Sequence, residues 1–450
     1  MGTLYQILLL TFAALGIAAI LLMALRPNLF WAILILSSVL GTGVLVNGYG
    51  VVDEFFLICI VVGYLMLLSV RISRNQVISV DRTPFSKIHF QIFFLFMCYM
   101  VFQSFRGMAV LDDFRMIRFV VLFSTLALIA CLIFKGVFPV PNPKQIVKIV
   151  LAGAIVHFSL YLGYGLLVEL VGGMDRFYVQ GQEWAGSTVS MFPLFCSVPA
   201  AYFVLGRNDG VAGKRLVPIW IAWLFLVVSI ATSFYYDSRI SWIFITVFLL
   251  ISSKDLGVIK TATVFGVFAV FLFTVSLWIL PGDSMLSQIS AFYKALFAAG
   301  SGAQDSDIAR KLEVLSSLGL VTDSVRTLFW GTGFYTERYS LIPYFVEVLS
   351  NYGVSTNIVD IIRPASFSSF LAGTGLVGIF FLVLCFFFTA CEILFYTTKQ
   401  GFKGRKVLLL SLVAVFGSMF ISINVDLVLF YLCLMPSGLL VQLSKYETST

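Results

Sequence analysis

The 450 residues are 60% hydrophobic and only 11% charged, with 46 Phe and a formal net charge of +7. Soluble domains carry about a quarter charged residues, and a soluble fold would have to bury at once every apolar run long enough to cross a ~30 Å hydrocarbon layer. Composition therefore excludes a soluble globular protein and leaves a helical membrane protein.

In chain order, apolar windows predict about 13 spans, at roughly 3–25, 29–46, 51–70, 88–105, 115–134, 145–171, 187–206, 217–236, 239–253, 261–280, 366–397, 407–423 and 427–443. Backbone polar groups in lipid must be satisfied within their own segment, so each span is expected to be a helix. The first run, Leu4 to Leu25, has no basic stretch before it and reads as a retained span. The expected fold is an all-α polytopic membrane protein with 12–14 spans. Residues 1–280 hold spans 1–10, residues 281–365 form one large helical outer loop, and residues 366–450 hold spans 11–13. The seven Cys all fall inside apolar runs, with no CxxC and no Cys/His cluster, so neither a disulfide framework nor a zinc site is indicated.

Orientation follows from where Lys and Arg fall. Alternate connections hold Arg26; Arg71, Arg74, Arg82 and Lys87; Lys135, Lys144 and Lys148; Arg207, Lys214 and Arg215; Lys254 and Lys260; Lys399, Lys403, Arg405 and Lys406; and Lys445. They account for 18 of the 29 basic residues. That side is expected to be cytoplasmic, with the N-terminus outside and the C-terminus inside. The positive balance is then a topology signal and gives no ground for nucleic-acid binding. The outer bases differ in kind. Nine are Arg (Arg106, Arg115, Arg118, Arg176, Arg239, Arg310, Arg326, Arg338, Arg363) and two are Lys (Lys294, Lys311). A guanidinium keeps its charge and grips phosphate or carboxylate through two parallel N–H bonds, a task Lys performs less well. The plainer reading pairs these Arg with the outer acids.

Four outer features stand out along the chain. Arg115 and Arg118 open the fifth span just after Asp112 and Asp113; a self-neutralised helix end and an anion contact both fit. Two spans meet at Tyr235-Tyr-Asp-Ser-Arg-Ile-Ser-Trp242 with almost no connector, which puts Asp237 and Arg239 at the membrane–water boundary. A local pair and an Arg facing a lipid phosphate both fit there. The large loop reads as a Ser/Gly/Asp-rich start, a helix around Ile308–Leu318 that Asp305 or Asp307 can cap, and a turn at Trp330-Gly-Thr-Gly-Phe334. Arg310 lies in the first turns of that helix, and Gly331 and Gly333 allow a tight turn or a close backbone approach. Finally, Arg363-Pro364 marks the outer mouth of the eleventh span, whose Gly373, Gly375 and Gly378 favour close packing by another helix.

Ser238-Arg239, Asp305…Arg310, Gly331-Thr-Gly333 and Gly375-Leu-Val-Gly378 stand in an order that resembles the O-antigen polymerase and O-antigen ligase superfamily of bacterial membrane glycosyltransferases. The resemblance covers roughly residues 230–380 and lies in order and topology more than in letters. Ligases of that superfamily carry a His-Asn pair shortly before the final glycine run. Here Pro364 and Ala365 stand at that place beside Arg363, and the expected outer side has no His. Polymerases tend to use loop arginines instead, so the polymerase branch is favoured.

The resemblance implies a polysaccharide polymerase at the periplasmic face of the bacterial cytoplasmic (inner) membrane, acting by inverting glycosyl transfer. The donor would be a growing glycan on undecaprenyl pyrophosphate, and the acceptor a sugar hydroxyl of one lipid-linked repeat unit. Arg239, Arg310 and Arg363 would neutralise the departing pyrophosphate, with no metal or other cofactor required. Asp237, Asp307 and Glu337 are the carboxylates open to a base role. Arg338, Arg326, Arg115 and Arg118 would contact substrate, together with Gly331 and Gly333. Membrane lipid, a flippase and a chain-length regulator are the implied partners. Two alternatives stand: an O-antigen-type glycan ligase, and a lipid-linked oligosaccharide transporter, which would want charges along its mid-membrane spans.

Overall fold

A computed structural model describes residues 84–111, 117–135, 218–235, 305–334, 336, 366–399 and 405–418, with further helical residues within 148–162, 197–204 and 244–248. All regular structure among the described residues is helical. Among the described residues seven helices are bounded, in chain order: α1 (Ser86–Leu111), α2 (Ile117–Lys135), α3 (Ile219–Tyr235), α4 (Asp305–Thr322), α5 (Val325–Trp330), α6 (Ser366–Lys399) and α7 (Arg405–Ser418). Two of them, α1 and the Phe370–Phe395 stretch of α6, are long and apolar enough to cross a bilayer.

Helices α1, α2, α3, α6 and α7 coincide with the windows expected at 88–105, 115–134, 217–236, 366–397 and 407–423. The largest difference at a helix end in the first of these is at α1, which runs on to Leu111 rather than stopping near residue 105. Those extra residues include Arg106 and Gly107, and they matter below. The helix foreseen around Ile308–Leu318 is α4. The short α5 was not foreseen. Its start is fixed by Ser324, whose hydroxyl accepts from the Thr327 amide while the Thr327 hydroxyl accepts from the Ser324 amide. Two orphan donors of the first turn are satisfied in this way, with Thr in the place where a capping box usually has Glu or Gln.

The frame of the described structure is an antiparallel pair, α1 against α6, zipped by aromatic rings along its length. Phe85 meets Phe395 edge-on at 6.0 Å, and His89 stacks on Phe388 at 6.5 Å. Phe96 lies between Phe381 and Phe370, and Tyr99 contacts Phe381. Edge-to-face and offset stacks of this kind add to the burial of large rings. At the end of the pair that carries Lys87 and Lys399, His89 Nδ1 donates to Glu392 Oε1 at 3.0 Å, with both side chains buried. Thr389 adds its hydroxyl 3.4 Å from His89 Nε2.

Helix α2 packs back on α1, and α7 packs on α6 through Phe386 and Phe416, whose centroids are 4.8 Å apart. Helix α3 meets the residue-158 segment: Phe225 packs on Phe158, and the Thr232 hydroxyl donates to the Phe158 carbonyl at 3.0 Å. The loop helices α4 and α5 sit on the opposite end of α6 from Lys399, where Leu320 and Ala372 share a small buried cluster.

Candidate functional site

The loop joins the bundle at the Trp330–Phe334 turn, and the reason lies in a break in α6. Gly375 has φ +65° and ψ −166°, which no helix interior accommodates. The stretch before it therefore ends like any helix, with carbonyls that have no intrahelical partner. Three of these find donors elsewhere. The Thr332 amide donates to the Ala372 carbonyl and the Gly333 amide to the Gly373 carbonyl, each at 2.9 Å. The Tyr99 hydroxyl, reaching over from α1, donates to the Thr374 carbonyl at 2.5 Å. In a low-dielectric setting an unmet carbonyl costs several kcal/mol, so turn and break require one another.

The same turn closes the end of α5. Trp330 carries the last carbonyl of that helix, and it accepts from Gln103 Nε2 at 3.0 Å and from the Arg106 guanidinium at 3.1 Å. Gln103 Nε2 also donates to the Tyr99 hydroxyl at 2.9 Å, so Gln103, Tyr99 and Thr374 form one chain of hydrogen bonds. Phe334 then drives its ring between Phe119 and Phe123 of α2, edge-on to both, at 5.1 and 5.3 Å. Thr336 ties the turn to itself through the Gly333 carbonyl and the Thr332 hydroxyl.

Glycines permit the approach. Gly331 caps α5 with φ +64°, and its amide donates to the Thr327 carbonyl. A Cβ at Gly331 would lie 2.5 Å from the Gly373 carbonyl group, and one at Gly375 would lie 2.5 Å from the Gly331 nitrogen. On α1, a Cβ at Gly107 would collide with the Phe334 carbonyl. The small residues of α6 thus admit the backbone of the loop turn. Packing was the expected use of Gly373 and Gly375, with another helix as the partner.

Of the residues that the sequence singles out, Gly331 and Gly333 lie buried in this seam and Arg326 is exposed on α5. Arg310 stands in the second turn of α4 and Arg118 at the start of α2. Asp237, Arg239, Arg363, Arg338, Glu337 and Arg115 lie outside the described residues. In sequence, Asp237 and Arg239 follow directly on the end of α3 at Tyr235, and Arg363 precedes α6 by three residues.

Sequence reasoning passed over Tyr99, Gln103 and Thr374, and took Arg106 only as one of the outer arginines. A lone Gln inside an apolar run is a signal in itself, since a buried amide needs partners. Its Oε1 is buried without a hydrogen-bond partner among the described residues, as is Ser368 Oγ. No group of three or more His, Cys, Asp or Glu among the described residues is placed to hold a metal. No family model matches the chain, and no curated protein matches it.

Proposed function

We propose that this chain is a polysaccharide polymerase of the bacterial cytoplasmic membrane. It joins undecaprenyl-pyrophosphate-linked repeat units at the periplasmic face, by attack of an acceptor sugar hydroxyl on the anomeric carbon of the donor glycan. The C–O bond to pyrophosphate breaks as the new glycosidic bond forms, and the acceptor proton passes to a carboxylate such as Asp237. One further negative charge develops on a pyrophosphate that already carries charge, and fixed guanidiniums stabilise it best because they need no reorganisation. Arg239, Arg310 and Arg363 are the residues assigned to that task, with the apolar helices holding the polyprenyl tails.

The observation that supports this reading best is the seam itself. Thr332 and Gly333 belong to one of the four segments on which the resemblance rests, and the carbonyls they meet, Ala372 and Gly373, stand just before Gly375, which opens another. Their joining by backbone hydrogen bonds makes loop and span a single unit, as a site built from both requires. Segregation of Lys and Arg gives that unit its side: Lys87 and Lys399 lie at the far end of the α1–α6 pair from the turn.

Replacing Arg239 or Arg310 by Ala tests the proposal. Each variant, at wild-type protein level, is expected to leave single lipid-linked units and lose the long glycan ladder. Full-length ladders from both would sink the polymerase reading. A deletion strain separates the ligase alternative, because a ligase mutant keeps long lipid-linked polymer and fails only to attach it.

A further inference from the structure

Arg106 and Arg326 converge on Trp330 from two different elements. Arg106, near the end of α1, donates one guanidinium N–H to the Trp330 carbonyl, which pins the group and leaves its other donors free. Arg326 is exposed on α5, one helical turn before Trp330, and therefore on the same face as that residue. Among the described residues no carboxylate lies within ion-pair distance of either Arg. Even Asp323, three residues before Arg326, makes no ion pair with it.

The surroundings define what would cancel this charge. Phe102 and Phe105 of α1 precede Arg106 within one helical turn and are exposed, and Phe329 and Trp330 are exposed on α5. Exposed aromatic rings beside fixed guanidiniums are the pattern of a membrane–water boundary, where rings meet lipid chains and cations meet headgroups. Two guanidinium forks match a multivalent oxyanion better than a single carboxylate.

We propose that Arg106 and Arg326 together seat the phosphate or diphosphate group of a membrane-anchored chain beside the Trp330 turn. Within the polymerase reading, on which this identification of the ligand rests, the seat holds the head of a lipid-linked glycan close to the loop. Arg106 is then a binding residue that the sequence alone did not single out.

The test uses the full-length protein in phosphatidylcholine nanodiscs, with undecaprenyl pyrophosphate, phosphatidylglycerol or inorganic pyrophosphate added in separate titrations. Arg106→Gln, Arg326→Gln and the double variant are compared with wild type by native mass spectrometry and by thermal shift. Loss of one charge-assisted contact is expected to weaken undecaprenyl pyrophosphate binding about tenfold, and the double variant more. Because Arg326 is exposed, Arg326→Gln should fold normally even if Arg106→Gln does not. Weaker binding of inorganic pyrophosphate than of the lipid form supports a membrane-anchored ligand. Equal binding of phosphatidylglycerol, with the same loss in the variants, supports the phosphate seat and counts against a lipid-linked glycan as its occupant. Unchanged lipid binding in Arg326→Gln and in the double variant overturns the seat, whatever the glycan ladders show.

Discussion

Gln103 holds Phe334 by its backbone and Trp330 by its side chain. Its carbonyl accepts the Phe334 amide at 3.0 Å, and its Nε2 donates to the Trp330 carbonyl at the same distance. One residue of α1 therefore grips both ends of the five-residue turn by which the large loop meets the bundle. The expected consequence of Gln103→Ala is a loss of about 1–3 kcal/mol, from the two side-chain hydrogen bonds removed, to the Tyr99 hydroxyl and to the Trp330 carbonyl, the latter keeping its bond from Arg106. Thermal unfolding of the detergent-purified protein checks it. The same variant should open the loop to limited proteolysis near Trp330 before the rest of the chain unfolds.

The glycine seam makes a sharper prediction. Gly331→Ala and Gly375→Ala each place a side chain at positive φ and also drive a Cβ into the facing backbone. Backbone strain of this kind alone costs about 1–3 kcal/mol, so each variant should accumulate poorly or lose the α6–loop contact. Gly417→Ala is the control: its Cβ would meet nothing within 4 Å on α7. In a helix that change should be neutral or stabilise by about 0.5–1 kcal/mol. Equal melting temperatures for all three variants would contradict the seam.

At the other end of the pair, Glu392→Ala should destabilise the protein by about 1–3 kcal/mol, since it leaves His89 Nδ1 buried without its hydrogen-bond partner. Replacing both residues by apolar ones of similar volume, His89→Leu with Glu392→Met, should come close to neutral by the same argument. Thermal unfolding of the single and double variants in one detergent separates the two outcomes. Additive losses would mean that the contact between them contributes nothing.

Orientation is open to direct measurement. Alkaline phosphatase fused after Asp323, in the exposed link between α4 and α5, should be active in whole cells. Green fluorescent protein fused after Lys403, between α6 and α7, should fluoresce. The reverse pattern would invert the sidedness read from Lys and Arg.

These elements differ in how far the sequence announced them. Apolar length is a local property, so α1, α3 and α6 were legible to within a few residues at most ends, and the Trp330–Phe334 turn was legible from its glycines. The continuation of α1 through Arg106 was not, because a charged residue ends an apolar window without ending a helix. Nor was the break at Gly375. A single Gly in a span is usually tolerated as helix, and what forces the break is a set of donors from Tyr99, Thr332 and Gly333 that no local window contains. The pairing of His89 with Glu392 was no more legible, because the two stand 303 residues apart and no local window contains both. Of the candidate arginines, Arg326 was legible as a position, while the bond from Arg106 to the Trp330 carbonyl, which joins α1 to α5, was not.

The long reach of these bonds also sets an order of assembly. Tyr99 waits for Thr374 across 275 residues, and His89 waits for Glu392 across 303. At ordinary synthesis rates of about 5–20 residues per second, that interval is roughly 15–60 s. For that time α1 carries an imidazole, a phenol and an amide without their final partners, in a helix that must already have left the ribosome. Newly made α1 is therefore a helix in need of a chaperoned interval, shielded by the insertion machinery or by α2 until α6 arrives. Chains truncated between Trp330 and Ser366 would hold the turn but lack its anchor, and the cell would meet them as substrates for membrane proteolysis.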